Sequence, residues 1–328
     1  MNFLLLTGAG FSRNWGGWLA NEAFEYLLGC PQVRSNASLR QILWRHQLTG
    51  GFESALAEVK RNYVLNPQTN LLQLQDIQAA VSSMFTDMNQ AYFEVNDFEF
   101  QHQIPRMVRS FMVKFDAIFT LNQDLLLEHH YLNENIALTL PRKWNGAQLP
   151  GMRPTGNVGG NWAQFDWSPM RQGQFVVTAN MQPLFKLHGS SNWHDPAAGP
   201  LLIMGANKVR DIEFHPILSW YFQQFEERLA RPETRLMVIG YGFRDEHINQ
   251  AIINAINQHG LEVFLIDPSG AELARRLNQT RGAAIQAPPS PLEDAFATGL
   301  IGASRRPLRS IFGGDTVEYA KVQRFFAP

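Results

Sequence analysis

FLLLTGAGFSRNWGGW, residues 3–18, decides how the rest of the chain is read. Phe3 to Thr7 is a short apolar run that breaks at glycine, the pattern of a buried strand. Gly8 permits a tight turn, and Gly10 lets the backbone come close to whatever lies opposite. The amides that follow open a helix, and a helix start beside a glycine turn favours an anion. The same residues also suit an ordinary strand-to-helix turn, and the motif alone does not separate the two. It does depart from the dinucleotide fingerprint of hydride-transfer enzymes. Arg13 stands where the third glycine belongs, and no strand-ending acid follows about twenty residues later.

Working outward, Trp18 to Leu28 has helical apolar spacing and stops at Gly29, an expected C-cap. From residue 31 to about 110 the pattern is mostly helical. Leu74, Ile77, Val81, Met84 and Met88 recur at three- and four-residue steps, which predicts one amphipathic helix. KFDAIFTLNQDLLLEHH (114–130) reads as strand, polar turn and helix start. Residues 145–180 are rich in Gly, Asn, Trp and Gln and read as a long loop or irregular lobe. PLFKLHGSSNW (183–193) is a strand followed by a turn of small residues, and 212–230 is helical. RLMVIGYGFRDEHINQAIINAINQHG (235–260) is strand, glycine turn, helix and glycine stop, with Asp245 as N-cap. LEVFLIDPSG (261–270) is a further strand, APPSP (287–291) a surface linker, and Thr316 to Phe326 a helix. Strands alternating with helices predict an α/β fold with a doubly wound, mostly parallel sheet. The expected core is 1–30 with 111–328, interrupted by a helical insertion at 31–110. Such sheets bind ligands beyond the carboxyl ends of their strands.

The composition is that of a globular chain: 328 residues, 45% hydrophobic, 17% charged. A net charge of -1 gives no general attraction to nucleic acid or to anionic membrane. The lone Cys30 excludes an internal disulfide framework and a multi-cysteine zinc site. No apolar run reaches the roughly 20 residues needed to span a bilayer. The N-terminus lacks the basic start of a signal peptide, so a reducing cytosol is the simplest location.

Four more strand ends carry polar residues. TLNQD delivers Asn122 and Asp124. Asn122 can hold a water or a sugar hydroxyl, and Asp124 can accept from an amide or stabilise positive charge. Asp124 can equally N-cap the helix that begins LLLEHH. His188, one of nine histidines, ends LFKL and precedes Gly189 and Ser190. It is a candidate proton carrier there, or one more structural histidine. Gly240, Tyr241 and Gly242 form a second glycine turn, and Asp267 ends the next strand. Each of these two also has a plain reading, as a tight turn and as a turn acid.

Together GAGFS, TLNQD, KLHGS and VIGYGFRDEHIN, in this order, resemble the NAD-binding core of sirtuins. The likeness is nearer still to the sirtuin-like NAD hydrolase domains of prokaryotic antiphage defence proteins. It covers the strands and turns from residue 3 to about 270. The resemblance implies a Rossmann-like core in which Gly8, Ala9, Gly10, Phe11 and Ser12 lie against pyrophosphate and ribose. It implies Asn122 at the ribose and its water, Asp124 at the nicotinamide carboxamide, and His188 as catalytic histidine beside Gly189 and Ser190. It places Gly240, Tyr241, Gly242 and Asp267 on the adenosine side. With a single cysteine, the zinc module of sirtuin deacylases is missing. The stretch that follows the first glycine turn in those enzymes is replaced by NWGGWLANE. The expected activity is therefore NAD hydrolysis to nicotinamide and ADP-ribose without a metal, in abortive antiphage defence. A protein deacylase and a non-catalytic NAD or ADP-ribose sensor are the alternatives. The resemblance also implies a homo-oligomer or a separately encoded partner, a HerA-type ATPase ahead of a short Argonaute.

Overall fold

The computed structural model describes residues 1–94, 108–140, 142–155, 160–205, 208–275 and 288–327. Parts of the expected insertion (95–107), lobe (156–159) and linker (287) lie outside the described residues. The strands are β1 (Asn2–Thr7), β2 (Ala117–Thr120), β3 (Gly146–Gln148), β4 (Met152–Thr155), β5 (Asp166–Pro169) and β6 (Met181–Lys186), followed by β7 (Gly189–Asp195), β8 (Gly199–Leu202), β9 (Thr234–Ile239), β10 (Glu262–Ile266) and β11 (Leu300–Ser304).

Seven strands form one sheet in the order β11-β10-β9-β1-β2-β6-β3, and every pairing in it is parallel. This is the doubly wound, Rossmann-like α/β fold expected from the strand–helix alternation. The run FLLLT predicts the place of β1. Leu4, Leu5 and Leu6 are all buried, as a strand covered on both faces requires. β1 accordingly sits at the centre, paired with β9 through all six residues and with β2 through four. The chain builds outward from β1 to one edge and then returns to build the other. The GAGFS loop therefore leaves the sheet at its topological switch point, where crevices for ligands form.

Four helices, Pro31–Ser35, Ala37–His46, Gly51–Leu65 and Pro67–Glu94, occupy residues 31–94. Ile77, Val81, Met84 and Met88 are buried along the last of them, in an apolar core continuous with that of the sheet. The chain end returns beneath β1, where Phe325 and Phe326 pack on Phe3 and Phe115. Among the described residues no helix is long and apolar enough to cross a membrane.

Four local readings need correction. Gly29 does not cap its helix but is the last residue in it. The helix stops because Cys30 precedes Pro31 and takes the extended backbone that proline imposes on its neighbour. The lobe at 145–180 is not a long loop, since it holds β3, β4 and β5. β4 and β5 join β7 and β8 in a second, four-stranded sheet, and their proline-bearing strands of four residues are too short to show alternation. The small residues after His188 are not a turn but the start of β7, which pairs with β8. In APPSP, Ser290 and Pro291 start the helix Pro291–Gly299 with a capping box to Glu293, and that helix leads into β11, a strand the sequence reading missed.

Candidate active site

The loops after β1 and β9 touch backbone to backbone. Gly8 N–H donates to Ile239 O at 3.0 Å, and Gly10 N–H donates to Gly240 O at 2.9 Å. A Cβ on Gly8 would lie 2.7 Å from Gly240 O. One on Gly240, whose φ is +64°, would lie 2.3 Å from Gly10 C. The glycines of the two motifs are thus demanded by each other, a partner that sequence could not name. Gly242 differs, since its Cβ position is open and its backbone ordinary. Ala9 is exposed, while the Phe11 ring is buried against Trp15 at 5.1 Å, which leaves only its backbone for a ligand.

The loop after β2 is sewn to the same place. Asn122 Nδ2 donates to Gly8 O at 3.0 Å and to Ser12 Oγ at 2.9 Å. Beneath it Thr7 and Thr120 share a hydroxyl contact of 2.8 Å, and Thr120 Oγ1 accepts from Asn122 N–H. Asp124 is buried and accepts from Leu126 N–H at 3.1 Å, so the cap-like contact is real. Burial drives its carboxyl above the usual range, against the pull of Lys186 and the Ser12 hydroxyl. Burial and then the Asp124 charge hold the Tyr92 hydroxyl well above its ordinary range. Asn89, one turn before Tyr92, accepts from Leu125 N–H and donates to Ser191 Oγ. The longest helix of the 31–94 region therefore braces the site, which its amphipathic pattern did not reveal.

Behind Asp124 the chain forms a π-helical turn, Glu128–Leu132. Glu128 and Lys186 make an ion pair of 2.6 Å with side chains 0% and 1% exposed. Lys186 also donates to Asp124 O at 2.6 Å. Ser190 Oγ contacts Glu128 Oε1 at 3.3 Å and is wholly buried, so it supports this pair. The sequence signal for the pair was a lysine in the apolar run PLFKL and a glutamate in LLLEHH.

After β6 the His188 side chain is 3% exposed. Its carbonyl accepts from Gln123 Nε2 and Ile203 N–H, which joins it to the Asn122–Asp124 loop. Gly189, at φ +73°, lies so near Leu201 O that no Cβ fits. His188 Nε2 is 3.4 Å from His247 Nε2. Burial brings the His188 imidazole down to about 3, with Asp245 opposing and Lys208 and His247 reinforcing. Asp245 occupies the N-cap position without capping. Its carboxylate goes to Lys208 at 2.7 Å, and Lys208 reaches Glu53 at 2.8 Å. The sequence reading missed His247, Lys208 and Glu53.

Two assignments sit apart. Tyr241 turns inward, its hydroxyl donating to Asn249 Oδ1 and accepting from Asp245 N–H, so it braces its own loop. Asp267 accepts from Ser269 N–H at 2.7 Å, the geometry of a turn acid. A cavity of about 420 Å³, lined by Arg153, Arg171 and Asp195 among others, includes none of the candidate residues described above.

Comparison with protein families matches residues 116–285 to the SIR2-like domain, just over half of the chain. The chain belongs to the SIR2-like family. The match begins after β1 and the four helices, yet β1 lies between β2 and β9, both inside it. The first strand therefore completes the SIR2-like sheet, and GAGFS meets the other motifs through Asn122 and Gly240. SIR2-like domains use NAD as substrate, so membership of the family points to NAD-related activity in general. A comparison with curated proteins gave no match. Among the described residues no group of three or more His, Cys, Asp or Glu could hold a metal ion.

Proposed function

We propose that this SIR2-like chain hydrolyses the nicotinamide–ribose bond of NAD, giving nicotinamide and ADP-ribose. The observation that carries this reading is the Asn122 amide, which ties the β1 loop to the β2 loop at the switch point of the sheet. Asp124 and His188 stand on the adjoining strand ends. Breaking the bond releases neutral nicotinamide and leaves an oxocarbenium-like ribose, so the site must orient the carboxamide, stabilise cationic charge and place a water. Asp124 serves the first two needs and Asn122 the third. His188, held neutral by its burial, accepts the proton of the attacking water.

A mass-resolved product assay tests the reading. Purified protein should release nicotinamide and free ADP-ribose, and Asn122→Ala and His188→Ala should abolish both while the chain stays folded. Turnover unchanged in both variants would remove the site assignment. O-acyl-ADP-ribose, formed when acetylated peptide is added, would replace hydrolysis by deacylation. From the resemblance alone we also propose a setting in antiphage NAD depletion, as a homo-oligomer or with a HerA-type ATPase. Phage challenge with and without the neighbouring genes, followed by cellular NAD, tests that setting.

A further inference from the structure

NAD hydrolysis is not proton-neutral. NAD⁺ and water give ADP-ribose, nicotinamide and one proton, which has to leave the site. His188 is poorly placed to keep it, being almost wholly buried and strongly opposed to holding charge. Among the described residues its imidazole has no hydrogen-bonded carboxylate; the ring it meets is His247, Nε2 to Nε2 at 3.4 Å. We propose that His247 carries the proton of the reaction from His188 to solvent.

The inference rests on the hydrolytic reading above. His247 lies in the first turn of the helix Glu246–His259 and is half-buried, so it joins the interior to the surface. Two facing Nε2 atoms share one hydrogen between them, because one must donate and the other accept. When His188 accepts a proton from water at Nδ1, it passes its Nε2 proton to His247 Nε2. His247 then loses a proton from Nδ1 to solvent, and both rings end neutral with their tautomers exchanged. After product release His188 gives its Nδ1 proton to water in the opened site, while the relay refills its Nε2 from solvent through His247. This restores the starting tautomers with no net proton moved. No oxidant or further reactant is required.

The surroundings let His247 pass a proton on without keeping it, since burial, the largest cause, holds its imidazole below the ordinary value. Burial opposes its charge, Asp245 favours it, and Lys208 opposes it. Lys208 is itself balanced by the two carboxylates it bridges, Asp245 and Glu53. The Phe222 ring, centred 5.5 Å away, is a further neighbour and carries no charge. His247 thus meets three ionisable groups, His188, Asp245 and Lys208, and its charge is offset by one fixed carboxylate. It acts through His188 and is a positioning residue in the proton path, not a group that touches NAD.

The test compares His247→Ala and His247→Gln with wild type in steady-state NAD hydrolysis from pH 6 to 9. Glutamine keeps a polar contact but carries no proton, and alanine leaves a space that free imidazole fills. The expected result is a fall in kcat of about tenfold or more in both, with KM changed by less than about twofold. Added imidazole should restore His247→Ala and not His247→Gln. Wild-type kcat and pH profile in both variants would overturn the relay and leave hydrolysis standing. So would a loss that imidazole does not restore and that follows a lowered melting temperature. Absence of nicotinamide release from wild type itself would overturn the hydrolytic reading and the relay with it.

Discussion

At Gly240 the backbone has φ +64°, and the nearest atom to an added Cβ would be Gly10 C at 2.3 Å. Two residues on, Gly242 has open space and an ordinary backbone. Gly240→Ala should therefore cost more than about 2 kcal/mol, from left-handed strain and overpacking together. Gly242→Ala should stay within about 0.5 kcal/mol of wild type. Urea denaturation of the two variants checks this, and equal midpoints would refute the loop-against-loop account. Asn122 makes a different kind of demand. Asn122→Ala loses donors to Gly8 O and Ser12 Oγ, at a cost of about 1–3 kcal/mol, yet should remove nicotinamide release altogether. A stability loss of that size with activity retained would make Asn122 a loop tie only.

The elements that support the site depend on a buried charge pair. Glu128 in the π-helical turn and Lys186 at the end of β6 hold each other at 2.6 Å, and Lys186 also holds the Asp124 carbonyl. Lys186→Met strands a carboxylate without compensation and should cost about 3–5 kcal/mol. Adding Glu128→Leu to it should recover most of that stability, because the charges leave together. NAD turnover should not recover, since Asp124 O still lacks its donor. Full stability in the single variant, or full activity in the double one, would contradict this. Legibility in the sequence follows the same elements. β1, β2, β6, β9 and β10 could be read because each is a buried apolar run ending in a polar turn. β4 and β5 could not, because their four residues carry Pro154 and Pro169 and their partners are distant. β11 was hidden by Gly302 and by the prolines that precede its helix. The strand ends could be read as chemistry, but His247 could not. DEHIN looks like an ordinary helix start, and only the fold brings its imidazole to His188.

Across the described residues the histidines range from buried to exposed. Five of them, His129, His130, His188, His215 and His247, are held below their ordinary value of 6.5, burial being the largest cause in each. His130 falls to about 4 and His188 to about 3. In the unfolded chain all five take up protons as the pH falls through about 6.5, and the folded chain takes them up only lower. Their contribution to stability is thus complete above 6.5 and is lost as the pH drops towards the folded values. Asp124, Glu128 and Glu226, pushed up by burial, act in the opposite sense and offset part of the loss. Glu58, Asp245 and Glu318, held down by their partners against burial, add to it at lower pH. Urea midpoints should fall between pH 7 and pH 5. Each uncompensated histidine should contribute a slope of up to about 1.4 kcal/mol per pH unit. His188→Gln removes one such group, so its stability should depend on pH less steeply than that of wild type by up to that amount. A His188→Gln midpoint that depends on pH as steeply as that of wild type from pH 7 to pH 5 would mean that folding does not lower the His188 value.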